Sequence, residues 1–482
     1  MIEIQTGIPE EVGIPSEAIL RFLMRLDRYQ IPMHSVQLMR KEKLIFEGYY
    51  APFKKGQLHR MFSVSKSFTA VAIGKLEEEG RISLGDPIIK YFPEYCTEKL
   101  HPWIRMTTIQ NMLEMRTCHS ATTYKCNLDE NWVESFFLIP PDHKPGTVFH
   151  YDTSSSHVLC ALVEKLTGKP MLEYLKETVL YEIGFSKESY MLKDPFGTSM
   201  GGSGLMATPE DLLRFGILLM HNGKVDGRQL VNRTFLKEAT ECRVENMVKG
   251  PTLFERQGYG YQIWQGQYGS FLCYGMGGQF IICLPEKQLL CVTTADTQGI
   301  GGGNQLIQNC FYEEILPVLS GEALPVNKKE YMLLQDYAEK LQVRPLSYLK
   351  GKKRIECYRA DINGKTYKMT QNAQGFEEMG LVLEESGDGI LAFVLSGKTY
   401  HIRFGFDSVA ADNFPIQNMQ CASSGMWLDS NTFYIRTFLL DEACGSIHFQ
   451  LFFGDDDLTV YMKKDDDMLF REFTGHIYGR LP

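Results

Sequence analysis

Ser63 and Lys66 stand at the head of a stretch in which Val64, Phe68, Ala70, Val71, Ala72, Ile73 and Leu76 place apolar or small residues almost all round a helical turn. That pattern predicts a buried helix, ended at Gly80, a residue that accepts the left-handed conformation just past a helix. Positions i and i+3 share a helix face, so the Lys66 ammonium reaches the Ser63 hydroxyl. A serine hydroxyl is a poor nucleophile until a neighbouring base takes its proton. Lysine becomes that base when burial penalises its charged form. The helix start adds a dipole and free N–H groups that stabilise an anion forming at a carbonyl adduct. The chemistry that fits is acyl transfer through a covalent serine adduct.

Spacing alone discriminates little. Ser347-Tyr348-Leu349-Lys350 repeats the pattern, but it follows Pro345 and precedes the charged run Lys350 to Arg354, which reads as a linker. The elements around Ser63 therefore have to carry the reading. Ser16 is placed to cap a helix bearing Leu20, Phe22, Leu23 and Leu26. Ser35 to Tyr50 is two apolar runs about a polar turn, hence a hairpin. Residues 88 to 145 read as irregular with short helices. A helix is expected from about Ser156 to Thr167, ending at Gly168. Thr208 caps another, with Pro209 at its first position and Asp211 in its first turn. A further hairpin turns at Pro285-Glu286-Lys287, and a helix from about Asn304 to Leu319 follows. The Gly-rich run Gly201-Gly202-Ser203-Gly204 lacks the Gly-Lys-Ser/Thr ending of a phosphate loop and is read as a tight approach lining the cleft.

The chain has 482 residues, above the ~250–300 at which one hydrophobic core stops growing. The expected division is residues 1–322 as the serine hydrolase domain, 323–354 as linker and 355–482 as an antiparallel β domain. The last region alternates in short runs such as Thr432 to Phe438, Ser446 to Phe453 and Leu458 to Met462, with acidic turns at Asp455 to Asp457 and Asp465 to Asp467. Contiguous aspartates lack the alternate spacing of a calcium loop and read as solvated tips. A formal charge of −9 without a basic stripe argues against nucleic acid as a partner. The sequence opens on neither a cationic nor an apolar leader, and no run of about 18 apolar residues occurs, so no membrane partner and a cytoplasmic location are expected. The 12 cysteines show no Cys-x-x-Cys and no histidine at zinc-ligand spacing, which reads as free thiols in a reducing compartment. No metal or cofactor is required, and the oligomeric state is left open.

The run Phe62 to Thr69, with Leu76 to Pro87, resembles the first active-site motif of the serine beta-lactamase and penicillin-binding-protein superfamily, closest to its class C beta-lactamase, D,D-peptidase and esterase branch. Met106 to Thr117, Pro145 to Thr153, Thr198 to Met220 and Tyr274 to Ala295 extend the likeness over about the first 320 residues. The resemblance implies an α+β beta-lactamase/transpeptidase-like fold, an antiparallel sheet flanked by helices plus a helical region, here followed by an all-β C-terminal domain that is a small barrel or sandwich. It makes Tyr151 the tyrosine of the Tyr-x-Asn motif, sharing the base role with Lys66. Thr153 replaces the motif asparagine and loses an amide that both donates and accepts. Gly275 becomes the glycine of the third motif, Met276 the donor of an N–H to the oxyanion beside that of Ser63, and Gln279 the glutamine of a Gly-Gly-Gln variant in the cleft. The family's lysine or histidine falls near Cys273, so a cationic hook for a substrate carboxylate is missing. Cys118-His119 stands where the family has Ser-Gly, and His119 reads as structural.

These residues give a serine hydrolase acting on a small acyl substrate, a carboxylic ester or simple amide. A beta-lactamase or D-Ala-peptide hydrolase is the alternative. A catalytically silent binding or sensory module on the same fold is the alternative of another class.

Overall fold

The computed structural model describes residues 2–248, 250–348, 361–384, 388–465 and 469–482. Helix α1 (Ser16–Arg28) leads into the hairpin β1 (Met33–Arg40) and β2 (Lys43–Tyr49). Helices α2 (Ser65–Glu78), α3 (Thr153–Thr167) and α4 (Pro209–Met220) follow, then strands β3 (Phe271–Gly275), β4 (Gln279–Leu284) and β5 (Leu289–Ala295), and helix α5 (Gly303–Ile315). A seven-stranded sheet runs in the order Gln5–Thr6, β2, β1, β5, β4, β3, Trp264–Gln265. Its neighbours are antiparallel except for Gln5–Thr6, which lies parallel to β2. Alternate side chains of β4 serve two cores. Ile281 and Cys283 pack with residues of α2 and α4, while Phe280, Ile282 and Leu284 pack with α1 and α5. A strand covered on both faces is apolar throughout, which is why β4 and β5 read as unbroken apolar runs.

Local chemistry sets the helix ends. Thr208 and Asp211 form a reciprocal capping box at α4 with Pro209 in its first turn, as the sequence predicts. Gly80 and Gly168 take φ of 69° and 70° just past α2 and α3. Ser16 does not cap α1. Pro15 holds that position, and the Ser16 amide and hydroxyl instead donate to the Glu10 carboxylate at 2.8 and 3.0 Å. Helix α3 begins at Thr153, earlier than expected, because Asp152 caps it by accepting from the Ser154 amide at 2.8 Å.

The stretch expected as linker contains a helix, α6 (Lys328–Glu339), packed on α1. Leu334, Leu341, Val343 and Leu346 are buried, and Arg344 grips Asp27 with two hydrogen bonds of 2.9 and 3.1 Å. These apolar residues outweigh the charges that made the segment look like a tether. Lys350 to Arg354, and with it the second Ser-x-x-Lys spacing, lies outside the described residues, as do Asp466 and Asp467.

The C-terminal strands are β6 (Thr366–Met369), β7 (Phe376–Leu383), β8 (Asp388–Leu395), β9 (Lys398–Gly405), β10 (Ala410–Phe414), β11 (Met419–Trp427), β12 (Thr432–Leu439), β13 (Gly445–Phe453), β14 (Asp457–Asp465) and β15 (Gly475–Arg480). The ring runs β9, β8, β7, β6, β15, β14, β13, β12, β11 and closes where Gly405 pairs with Ser424, with β10 added outside on β11. The meander is thus a closed barrel and not a sandwich. Phe433, Ile435, Phe449, Leu451, Val460 and Met462 fill its interior from alternate positions. Among the described residues no helix is long and apolar enough to cross a membrane.

Candidate active site

Ser63 sits in a single tight turn, Phe62–Val64, that feeds straight into α2. Phe62, immediately before it, adopts φ of 45°, a conformation that costs a residue with a side chain about 1–3 kcal/mol and gathers at functional sites. Ser65 braces this turn. Its hydroxyl donates to the Phe62 carbonyl at 2.5 Å and accepts from the Leu205 amide at 3.0 Å.

Lys66 is 1% exposed. Its ammonium donates to Ser63 Oγ at 2.9 Å and to the Gly202 carbonyl at 2.6 Å. It also lies 4.9 Å from the centroid of the Tyr151 ring. Burial is the largest influence on its pKa and lowers it to about 7; the Asp152 carboxylate opposes that fall and Lys125 adds to it. A lysine so placed exchanges its proton near neutrality, as a base for Ser63 must.

Tyr151 packs beside Trp264, with ring centroids 5.1 Å apart, and edge-on to Tyr259 at 6.3 Å. Burial raises its pKa, and a hydrogen bond with the Ser63 side chain works against the rise. Ser63, Lys66 and Tyr151 therefore meet, with the ammonium held over the face of the phenol ring.

Asp152 follows Tyr151 directly, and nothing in the local sequence marks it as more than a neighbour. It is fully buried, and its Oδ2 has no hydrogen-bond partner. Burial pushes its pKa up to about 6, held back by hydrogen bonds from Ser154 and Ser155 and by the charge of Lys66. A capping aspartate at the mouth of a helix is ordinary in sequence, so only the fold shows that it faces the lysine.

The Gly-rich loop approaches closely, as expected. A Cβ on Gly201 would lie 2.3 Å from Cys160 Cβ, and one on Gly202 would lie 2.5 Å from Thr153 Cγ2. That closeness delivers the Gly202 carbonyl to Lys66 and places Thr153 beside it. The Thr153 amide donates to Thr122 Oγ1 at 3.0 Å.

Gly275 ends β3 against the turn of the nucleophile. A Cβ there would stand 2.2 Å from the Met61 carbonyl oxygen. Met276 follows in a turn whose Gly277 and Gly278 have φ of 88° and 96°. Gln279, expected in the cleft, is fully buried. Its amide donates to the Met276 and Ala295 carbonyls at 2.9 and 2.8 Å and accepts from the Ala295 amide at 3.1 Å. With both ends spent on backbone, it holds the turn that presents Met276 instead of facing a substrate. Met276 and Gly277 line a cavity of about 400 Å³ together with Thr297, Asn304 and, from the barrel, Lys464 and Asp465. His119 is structural, with Nε2 at 2.9 Å from the Phe136 carbonyl.

A family model described as Beta-lactamase matches residues 20–304. Among curated proteins the chain is similar to the 6-aminohexanoate-dimer hydrolase of Paenarthrobacter ureafaciens, with 24% identity over 215 residues, covering 42% of this chain and 55% of that protein. The chain spans little more than half the length of the curated relatives it matches first. Among solved structures, EstCE1, a hydrolase with promiscuous acyltransferase activity, aligns with a TM-score of 0.51 at 16% identity over 61% of this chain and 98% of that one. A penicillin-binding protein homologue from Caulobacter crescentus aligns with a TM-score of 0.50 at 15% identity over 64% and 99%. At those identities the structural likeness is one of fold.

Proposed function

The chain belongs to the beta-lactamase family, and from that premise we propose that it is a serine hydrolase working through an acyl-enzyme on carboxylic esters or simple amides. The observation that carries this reading is the 2.9 Å contact between Ser63 Oγ and a buried Lys66 amine whose pKa lies at about 7. Neutral Lys66 takes the Ser63 proton as Oγ attacks the acyl carbonyl carbon. The Ser63 and Met276 amides receive the oxyanion. As the tetrahedral adduct collapses, Lys66 with Tyr151 returns the proton to the departing alcohol or amine. Water then attacks the acyl carbonyl, giving its proton to Lys66, which passes it to Ser63 Oγ as the Oγ–carbonyl bond breaks and the acid leaves.

Two substitutions support esters and simple amides as substrates. Thr153 offers a hydroxyl where the family pattern has an amide, and Cys273, buried in β3, offers no cation. The name of the Paenarthrobacter relative, a 6-aminohexanoate-dimer hydrolase, makes an amide a fitting second substrate class. One observation favours the beta-lactam and D-Ala-peptide alternative: Lys464 brings a cation to the cavity beside Met276 from the barrel side, where it could meet a substrate carboxylate.

A fluorophosphonate probe tests the nucleophile. Labelling is expected in the native chain and absent in Ser63→Ala; no labelling of the native chain favours a silent binding module. p-Nitrophenyl esters of graded acyl length against a chromogenic cephalosporin test the substrate. Rapid cephalosporin turnover with inert esters overturns the ester reading while leaving the nucleophile in place.

A further inference from the structure

On the other side of Phe62 from Lys66, the same chain segment enters a second buried cluster that the reaction does not use. His34 from β1, His59 from the short strand His59–Arg60 and Cys444 from the turn before β13 each offer one donor atom, all within 4.8 Å of one another and all buried. His34 Nδ1 lies 2.8 Å from His59 Nε2, and Cys444 Sγ lies 3.6 Å from the same Nε2. Cys444 Sγ also stands 3.9 Å from the Ala295 carbonyl oxygen.

The hydrogen-bond chain fixes where the protons are. His59 Nδ1 is 2.9 Å from the Arg60 carbonyl oxygen, and a carbonyl only accepts, so that nitrogen carries the proton. Two rings buried 2.8 Å apart hold one proton between their facing nitrogens. His59 Nε2 is therefore unprotonated and accepts from His34 Nδ1. That leaves His34 Nε2 as a second lone pair, buried and without a partner. One imidazole nitrogen of the cluster thus has no donor facing it. A ring whose far N–H is tied to a backbone carbonyl is also the arrangement by which proteins orient metal-ligating histidines.

We propose that His34, His59 and Cys444 bind one zinc-class transition cation, which clips the barrel to the catalytic half beside the nucleophile. Zinc bonds of about 2.0–2.1 Å to nitrogen and about 2.3 Å to sulfur put the two donors about 3.5 Å apart at a tetrahedral angle. The His59 to Cys444 separation of 3.6 Å matches. The two nitrogens would stand about 3.3 Å apart on the same geometry, so their hydrogen bond opens by a fraction of an ångström. The proton on His34 Nδ1 then moves to the empty Nε2, and the Cys444 thiol proton leaves to solvent, so each cation releases one proton. Two imidazoles and a thiolate without a carboxylate exclude magnesium and calcium and select the zinc, cobalt and copper group. Three protein ligands leave a fourth position for water. The Cys444 turn is already held in place. Gln298 donates to the Cys444 carbonyl at 2.6 Å, and Arg60 donates to the Glu442 carbonyl at 2.8 Å.

The test uses the full chain, stripped with chelator and titrated with zinc(II) and cobalt(II). One cation per chain, one proton released per cation, a rise in melting temperature and a thiolate-to-cobalt charge-transfer band are expected. Cys444→Ser should remove the band and weaken zinc binding by at least about tenfold, the lower end of what ligand-supporting residues alone contribute. Cys421→Ser, another buried barrel thiol, should keep both. His34→Gln gives an independent reading and should also lose tight binding. Absence of stoichiometric binding to the native chain, or an unchanged cobalt band in Cys444→Ser, overturns the proposal.

Discussion

Lys66 and His59 flank one turn and are both buried, yet they arrive at different chemistry. Burial lowers both pKa values because desolvation penalises any cation. At Lys66 the Asp152 carboxylate pushes back, and the amine settles at about 7. At His59 the Arg60 carbonyl opposes the fall, and the ring drops to about 4. The first group trades a proton near neutrality; the second stays neutral there, with its Nε2 accepting from His34 Nδ1. The end points differ chiefly because a lysine starts from 10.5 and a histidine from 6.5; the Asp152 carboxylate tempers the fall of Lys66 without setting it.

The sharpest way to break this contrast is Lys66→Met. It keeps much of the length and all of the apolar character the site tolerates, but removes the base. A loss of about 10²–10⁴-fold in kcat/KM is expected, the usual worth of a positioned general base, with the cobalt spectrum of the histidine cluster unchanged. Loss of both together would mean that the two clusters are one site.

Gly275→Val should damage both clusters through the chain they share. The added Cβ meets the Met61 carbonyl at 2.2 Å, and Met61 lies between His59 and Ser63. Backbone cannot swing aside as a side chain does, so a destabilisation of about 1–3 kcal/mol or more is expected, read as a lowered denaturant midpoint. Gly397→Ala is no match for it: Gly397 has open space around its missing Cβ, and its positive φ of 74° alone should give the smaller effect.

The same contrast explains what the sequence discloses. Ser63 and Lys66 are one helical turn apart, so their meeting is written into local spacing. Tyr151 and the turn at Gly275 to Gln279 become visible through resemblance, because each lies within a run of several matching residues. Gln279 was misplaced in the cleft because a motif carries identity without direction. Its side chain turns back onto Met276 and Ala295. Asp152 has no signal in the sequence beyond standing next to Tyr151, and only the fold sets its charge against Lys66. The histidine cluster joins residues 385 positions apart and has no local spacing to find. The barrel follows the same rule: alternation in β12 to β14 announces strands, while closure depends on Gly405 meeting Ser424, a pairing between strands that are not consecutive.

The finest test concerns the carboxylate that tempers the fall of Lys66. kcat/KM should rise with a limb near pH 7 as Lys66 loses its proton. Asp152→Asn removes the influence that raises Lys66, so the limb should move to lower pH, and a limb that stays in place refutes the coupling. Stability should report the same pair with opposite signs. Lys66 has a folded pKa of about 7 against about 10.4 when unfolded. The unfolded chain binds more protons between those values, so stability rises with pH across that window, by at most about 1.4 kcal/mol per pH unit. Asp152 has a folded pKa of about 6 against about 3.9 unfolded. Its contribution is complete below about 4 and is lost as pH climbs through about 6. Denaturant midpoints measured across pH should therefore lose their alkaline rise in Lys66→Met and their acid-side fall in Asp152→Asn. A substitution of His59 should leave the alkaline slope alone and steepen the acid-side fall, because its folded pKa of about 4 against about 6.5 unfolded makes its own contribution rise with pH across that window.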